Sequence, residues 1–145
     1  PPDGPAYHRV YAAMQVRWGL VLSHTFGDPG TLERLAAGYP DVTFLVAHTG
    51  ATYEPKLAES MAVVMAARPN IYIDTCLSRV FYGDLARWVE AVGADRLLFG
   101  SDVPFNDNAH QIGRVTHAAI PDSAKRAILG ETMAGLIDSV RCSAR

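Results

Sequence analysis

Four short apolar segments, spaced almost evenly, are the feature that most restricts the fold of this chain. Each has the length of a β-strand, and they span residues 19–24, 42–48, 70–74 and 96–102. The second and fourth lack polar alternation, which is typical of parallel strands covered on both faces. Their last residues are His24, His48, Asp74 and Asp102, at intervals of 24, 26 and 28 residues. This near-constant spacing predicts a repeating strand–helix unit.

Helix-like segments lie before, between and after the strands. Apolar residues recur at helical spacing behind Pro5, and glycine or proline follows several of the later segments. Further helices are predicted over residues 31–37, 55–68, 83–92 and 109–119, followed by a helical pair over 122–140 that Gly130 divides. We find no linker or low-complexity segment, so we expect one domain over residues 1–145.

Parallel strands joined by helical crossovers form either a doubly wound open sheet or a (β/α)8 barrel. A dinucleotide-binding sheet carries a G-x-G-x-x-G turn after its first strand, and residues 24–30 do not match it. A barrel brings the polar residues at the carboxyl ends of its strands to one mouth. We therefore predict an α/β fold of the TIM-barrel type. The 145 residues hold only the last four βα units, a half barrel, plus C-terminal helices.

Composition excludes several classes of protein. With 49% hydrophobic and 19% charged residues the chain can bury a core, which excludes intrinsic disorder. The net charge is −2 and no run of basic residues occurs, so we expect no nucleic-acid partner. The longest wholly apolar run, residues 61–67, is far shorter than the ~20 residues of a membrane span.

Cysteine content and the start of the chain add two expectations. Cys76 and Cys142 are the only cysteines and form no disulfide framework or C-x-x-C motif, so we expect a cytoplasmic protein. Cys76 follows the third strand and lies near the expected mouth, but its sequence context assigns it no role. The Pro-rich start at Pro1 and the short length lead us to expect a part of a larger chain.

Three strand-terminal residues suit a metal site. The imidazoles of His24 and His48 and the carboxylate of Asp102 are ligands that divalent metals accept, and a barrel would gather them at one rim. Asp74 is expected either to contact the substrate or to cap the turn that follows it. Arg79, in the next loop, is a candidate clamp for an anionic substrate, with a solvated surface arginine as the alternative.

Four motifs at these strand ends carry a resemblance to a known family. They are L-S-H-T at 22–25, F-L-V-A-H-T-G at 44–50, N-I-Y-I-D-T at 70–75 and R-L-L-F-G-S-D-V-P at 96–104. They resemble the second half of the amidohydrolase-related proteins, which include metal-dependent hydrolases and aminocarboxymuconate-semialdehyde-type decarboxylases. The last motif is the most specific. The resemblance covers residues 7–140 and implies that the four strands are the fifth to eighth of a (β/α)8 barrel.

The resemblance also implies roles for the strand-terminal residues. In that family the histidine after the fifth strand and the aspartate after the eighth bind metal, which corresponds to His24 and Asp102. The histidine after the sixth strand, here His48, either binds a second metal or handles protons and polarises the substrate. The implied cofactor is a divalent metal, zinc, and the implied catalytic residues are Asp102 and His48.

The implied reaction is hydrolysis of an amide, lactone or similar carbonyl substrate, because a divalent metal activates water and an adjacent carboxylate accepts its proton. The alternatives are non-oxidative decarboxylation at the same site, a two-histidine, one-carboxylate iron site, and a half barrel without activity. The family's first-strand H-x-H pair is absent, and residues 130–134 read G-E-T-M-A in place of the usual G-x-N-A. We therefore expect, besides a small-molecule substrate, a second copy of the chain or a missing amino-terminal half barrel as partner.

Overall fold

One parallel sheet organises the chain. The computed structural model describes residues 1–17, 19–24, 26–48, 55–76 and 83–143. Its strands, all parallel and paired in chain order, are β1 (Leu20–Ser23), β2 (Thr43–Val46), β3 (Ile71–Asp74) and β4 (Leu97–Leu98). The helices are α1 (Pro5–Gln15), α2 (Pro29–Gly38), α3 (Pro55–Ala67), α4 (Asp84–Val92), α5 (Asn108–Thr116), α6 (Asp122–Arg126) and α7 (Thr132–Ser143). The predicted α/β class and the parallel four-strand sheet are confirmed.

Helix boundaries differ from the predicted ones for local reasons. The helix α2 begins at Pro29 rather than at Thr31, because the Asp28 carboxylate accepts a hydrogen bond from the Thr31 backbone N–H at 2.7 Å and caps the first turn. The helix α4 begins one residue later than predicted, at Asp84. Gly83 precedes it with φ 84°, a left-handed conformation that glycine adopts without steric cost.

The fourth strand is much shorter than predicted. The sequence predicts a strand over residues 96–102, whereas β4 holds only Leu97 and Leu98. After Leu98 the backbone N–H of Phe99 donates to the carbonyl oxygen of Ile128 at 2.8 Å, so the chain leaves the ladder and bonds to the segment between α6 and α7. Asp102 therefore lies in a loop four residues beyond β4 rather than at a strand end.

The two faces of the sheet have different surroundings. One face packs against the apolar residues of the helices, and its side chains are fully buried: Phe44, Val46, Ile71, Ile73 and Leu97. Side chains alternate along a strand, so the residues between these belong to the opposite face. The register places Leu22, Leu45 and Tyr72 in one row on that face, where Leu22 is 62% exposed and Leu45 is buried. We call it the open face.

Aromatic packing holds α1 against the sheet. The ring of Tyr11 is 1% exposed and lies 5.4 Å from the ring of Tyr39 and 5.5 Å from that of Phe44, centre to centre. Its hydroxyl donates to the carbonyl oxygen of Pro2 at 2.8 Å. Burial raises the pKa of Tyr11 to about 12, so the hydroxyl keeps its proton and remains a donor.

Two polar side chains join the units at the amino-terminal ends of the strands. Asn70, directly before β3, directs its Nδ2 group at the carbonyl oxygens of Ala36, Tyr39 and Val42, at distances of 3.2, 3.2 and 2.9 Å. These carbonyls belong to the end of α2 and the connection to β2. Asn70 therefore ties one strand–helix unit to the next.

Arg96 makes the equivalent link one unit later. It lies directly before β4, and its guanidinium donates to the carbonyl oxygens of Ile71 and Arg68, with Nε–Ile71 O at 3.0 Å and Nη2–Arg68 O at 2.8 Å. The guanidinium carbon also lies 5.0 Å from the centre of the Tyr72 ring, within the range of a cation–π contact.

Within the part of the chain that the structure describes, every helix is too short or too polar to cross a membrane.

Replacing Asn70 with alanine should destabilise the chain by about 1–3 kcal/mol, because part-buried carbonyl oxygens lose their donor. Urea denaturation followed by circular dichroism measures this difference. The control is Asn108→Ala, which alters an exposed amide at the start of α5. Equal stability of the two variants would contradict the linking role of Asn70.

Candidate active site at the carboxyl ends of the strands

Two of the predicted site residues have a strained backbone. Among the described residues, His48 and Asp102 are the non-glycine positions with positive φ, at 57° and 58°. The left-handed conformation costs a residue with a side chain on the order of 1 kcal/mol or more, and such residues cluster at functional sites. His48 lies two residues beyond β2, and Asp102 lies in the loop after β4. The strain is therefore located where the barrel mouth is expected.

The three residues predicted to share a site are neighbours. Nε2 of His48 lies 3.9 Å from Oδ1 of Asp102, with the two side chains 18% and 28% exposed. The ring of His24, one residue beyond β1, lies 4.6 Å from the ring of His48 and is nearly perpendicular to it, at 80°. The structure thus brings His24, His48 and Asp102 to the same end of the sheet, with His48 in the middle.

The other ring nitrogen of His48 contacts a residue for which the sequence indicated no role. Nδ1 lies 3.1 Å from Sγ of Cys76 and 3.3 Å from the Cys76 carbonyl oxygen. The Cys76 thiol donates to Oδ1 of Asp74 at 3.0 Å. One sequence signal was available, since Cys76 lies two residues after the strand-terminal Asp74, and alternate residues of an extended chain point to the same side.

Asp74 holds the backbone around the site. Its Oδ1 accepts hydrogen bonds from the backbone N–H of His48 at 2.8 Å and of Cys76 at 3.2 Å. The second bond spans two residues and is the contact expected if Asp74 caps the turn after β3. A contact between Asp74 and substrate stays a prediction. Arg79, the other predicted substrate-binding residue, lies outside the described residues.

Burial is the main influence on the pKa of Asp74 and raises it above the usual value. The hydrogen bonds from the Cys76 thiol and from the backbone of His48 and Cys76 oppose this effect. For Cys76, burial and the neighbouring carboxylate raise the pKa to about 12, so the thiol keeps its proton.

A compact set of three potential metal ligands occurs in the described part of the chain. It consists of His48, Asp74 and Cys76, whose ligand atoms all lie within 4.8 Å of one another. It is not the predicted set, since it contains neither His24 nor Asp102. A cysteine ligand must be a thiolate, whereas this thiol is buried and bonded to a carboxylate. We interpret the set as a hydrogen-bonded network.

Gly100 allows the Asp74 carboxylate to approach the loop after β4. A Cβ atom at position 100 would lie 3.0 Å from Cγ of Asp74 and 3.1 Å from both its Cβ and Oδ2. These distances are shorter than ordinary van der Waals contact. The glycine of the G-S-D motif therefore fits against the carboxylate that holds His48.

The loops after β3 and β4 are held by side chains from α5 and from the turn that follows Asp102. Asn106 donates from Nδ2 to Oδ2 of Asp102 at 3.2 Å, and its backbone N–H donates to the Asp102 carbonyl oxygen at 3.1 Å. Arg114, half-buried on α5, donates to the carbonyl oxygen of Thr75 at 3.0 Å. Both loops at the mouth are thus anchored by side chains outside the sheet.

Asp74 should make the stability of the chain depend on pH. Its raised pKa means that the folded chain binds this proton more tightly than the unfolded chain does, so the free energy of unfolding falls as pH rises from 3.8 through the raised pKa. The amide of Asp74→Asn does not titrate. We expect the stability of this variant, relative to the parent chain, to increase across that interval.

Urea denaturation below pH 3.8 and at neutral pH measures this difference. The control is Asn108→Ala, which removes no ionisable group, so its stability relative to the parent should stay constant. A fall in the stability of Asp74→Asn relative to the parent as pH rises would contradict the raised pKa of Asp74.

Comparison with known proteins places the chain in a family. A family model described as amidohydrolase matches residues 1–134. None of the curated proteins matches the chain. The chain is similar to an uncharacterized TIM-barrel protein from Bordetella bronchiseptica, with a TM-score of 0.77 and 21% identity. The match covers 95% of this chain and 52% of the Bordetella protein.

Two further solved structures share the fold. Amidohydrolase 2 from Bifidobacterium longum subsp. infantis has a TM-score of 0.74 and 15% identity, covering 93% of this chain and 56% of its own. The 5-carboxyvanillate decarboxylase from Sphingomonas paucimobilis has a TM-score of 0.70 and 16% identity, covering 94% and 54%. This chain spans little more than half the length of each. It belongs to the amidohydrolase family, and its four βα units correspond to a half of the TIM-barrel fold.

Proposed function

We propose that the chain supplies the carboxyl-terminal half of the active site of a metal-dependent hydrolase acting on an amide, lactone or similar carbonyl substrate. The observation that carries this proposal is the pair His48 and Asp102. Both residues follow strands of a barrel-type sheet, both have left-handed backbones, and their side chains face each other at 3.9 Å. Among the described residues, the non-glycine positions with left-handed backbones are these two facing polar residues, and such strained residues cluster at active sites.

The donor atoms of His24 and Asp102 fit a divalent metal. Imidazole nitrogen and carboxylate oxygen are ligands that zinc accepts, and both side chains retain solvent exposure. A catalytic zinc site takes three protein ligands, of which this pair provides two. We propose that the remaining ligand comes from a complementary half barrel. A bound zinc ion would polarise a substrate oxygen and lower the pKa of water towards ~7.

The residues of this chain would share the proton chemistry. We assign to Asp102 the acceptance of a proton from the attacking water and to His48 a role in proton transfer at Nε2. General acid–base groups work within hydrogen-bond reach of the reacting atoms. The distance of 3.9 Å between His48 Nε2 and Asp102 Oδ1 is longer than a hydrogen bond, so these two side chains are not hydrogen-bonded to each other.

A decarboxylase is the second candidate. The similarity to 5-carboxyvanillate decarboxylase supports it, although at 16% identity that similarity concerns the fold. In this reaction the substrate carboxylate would bind near the metal, His48 would assist proton transfer, and Arg79 would remain a candidate clamp for the anion. Assaying the complete protein with lactones and carboxylated aromatic acids separates the two candidates, and metal analysis separates zinc from iron.

A cytoplasmic location is also part of the proposal. Cys76 is a free, buried thiol, which suits a reducing compartment.

In the complete enzyme, Asp102→Asn should remove most turnover and weaken zinc binding while leaving the fold intact. The amide carries no charge to hold the metal and cannot accept the proton. His48→Ala should reduce turnover with a smaller loss of zinc. Zinc titration and steady-state kinetics measure both effects, with Asp95→Asn as the control. Equal loss of zinc in His24→Ala and His48→Ala would favour a binuclear site or the iron alternative.

We further propose that the open face and the edge strands β1 and β4 are covered in the working protein by a complementary half barrel or a second copy. The exposed side chain of Leu22 and the position of β1 and β4 at the two edges of the described sheet favour association. Light scattering of the 145-residue chain should show a dimer or aggregate, and zinc titration should show weak binding. A monomer that binds one zinc ion tightly would contradict both expectations.

A further inference from the structure

We propose that Asp74 and Cys76 are positioning residues for His48, which fix its imidazole with the proton on Nδ1 and leave Nε2 unprotonated towards Asp102. This inference deepens the proposed function, on which it rests for the role of His48 in the reaction. The geometric part concerns only contacts within this chain and can be tested without substrate or metal.

The direction of the hydrogen bonds follows from what each group can donate. The Asp74 carboxylate is an acceptor, so the single thiol proton of Cys76 points to Oδ1 across 3.0 Å. The sulfur then faces Nδ1 of His48, at 3.1 Å, as an acceptor. A neutral imidazole carries one donor and one acceptor nitrogen. A proton on Nδ1 completes a chain that runs from His48 through Cys76 to Asp74.

The Cys76 carbonyl oxygen supports the same assignment. It lies 3.3 Å from Nδ1 of His48 and can only accept. If Nδ1 were unprotonated, its lone pair would face this oxygen, and the contact would be repulsive. With the proton on Nδ1, both the sulfur and the oxygen of Cys76 face a donor.

The same carboxylate oxygen sets the backbone from which the imidazole projects. Oδ1 of Asp74 accepts from the His48 backbone N–H at 2.8 Å, and His48 has φ 57°. A hydrogen bond to a charged acceptor is stronger than a neutral one, so it helps to offset the cost of the left-handed conformation. Gly100 lies against the opposite side of the carboxylate and limits its displacement. Asp74 therefore fixes both the position and the protonated nitrogen of the ring.

The consequence for chemistry lies at Nε2. An imidazole that binds metal or takes up a proton uses an unprotonated nitrogen, and a hydrogen bond at the other nitrogen selects which one is available. Here the network selects Nε2, the nitrogen that faces Asp102 at 3.9 Å. Sequence motifs of the chain indicated His48 but neither of the two contacts that orient it.

Nitrogen NMR of the chain, labelled with ¹⁵N-histidine and free of metal, tests the assignment. His48→Gln identifies the signals of His48 among the five histidines. In the parent chain at neutral pH we expect a single tautomer of His48 with Nδ1 protonated. The conservative variants Cys76→Ser and Asp74→Asn, which keep acceptor oxygens at these positions, should retain it.

Asp74→Ala should give averaged shifts from both tautomers, because it removes the acceptor for the thiol and for the His48 backbone. Cys76→Ala should give a smaller change in the same direction, since the Cys76 carbonyl remains. Cys142→Ser is the matched control for loss of a thiol. Backbone amide spectra confirm that each variant is folded. A proton on Nε2 in the parent chain, or an unchanged tautomer in folded Asp74→Ala, would overturn the proposal.

Kinetics of the complete enzyme give a second readout. Loss of a group that orients a catalytic or ligating histidine reduces activity by about 10–100-fold. Cys76→Ala should therefore lower kcat with little change in KM, and Cys76→Ser should restore most of it. If the tautomer behaves as expected but Asp102→Asn leaves zinc binding and turnover unchanged, the positioning role is supported while the proposed function is contradicted.

Discussion

One carboxylate oxygen connects neighbouring loops at the carboxyl ends of the strands. Oδ1 of Asp74 accepts from the backbone N–H groups of His48 and Cys76 and from the Cys76 thiol, and so joins the loops after β2 and β3. Without it, buried donors would lose their acceptor and the left-handed backbone of His48 would lose support. The position of His48 in this loop therefore depends on this single atom.

The two ends of the sheet use polar groups differently. At the amino-terminal end, Asn70 and Arg96 donate to carbonyl oxygens of the preceding unit, and their contacts stabilise the packing of successive units. At the carboxyl end, polar groups hold His48 and Asp102 in conformations that cost free energy. Barrel folds commonly separate stability and chemistry in this way, with active sites at the carboxyl ends of the strands.

The sequence indicated the order of the elements and the neighbourhood of the site, but not its local geometry. The parallel strands could be predicted because buried strands are apolar along their whole length, and the G-S-D motif indicated Asp102. The length of β4 could not be predicted, because a tertiary hydrogen bond from Phe99 to Ile128 ends it. The strain at His48 and Asp102 was not visible either, since neither is a glycine. Cys76 was expected near the mouth but was given no role, because the contact of its side chain with His48 joins residues that are 28 positions apart in sequence.

The contact between Gly100 and Asp74 ties two positions on different strand–loop units to each other. A side chain at position 100 would occupy the space of the carboxylate, and a longer acid at position 74 would occupy the space of the missing Cβ. A larger side chain at either position would therefore press on the residue at the other. A variant with a side chain at position 100 would need a residue smaller than aspartate at position 74, and it would then lose the oxygen that holds His48.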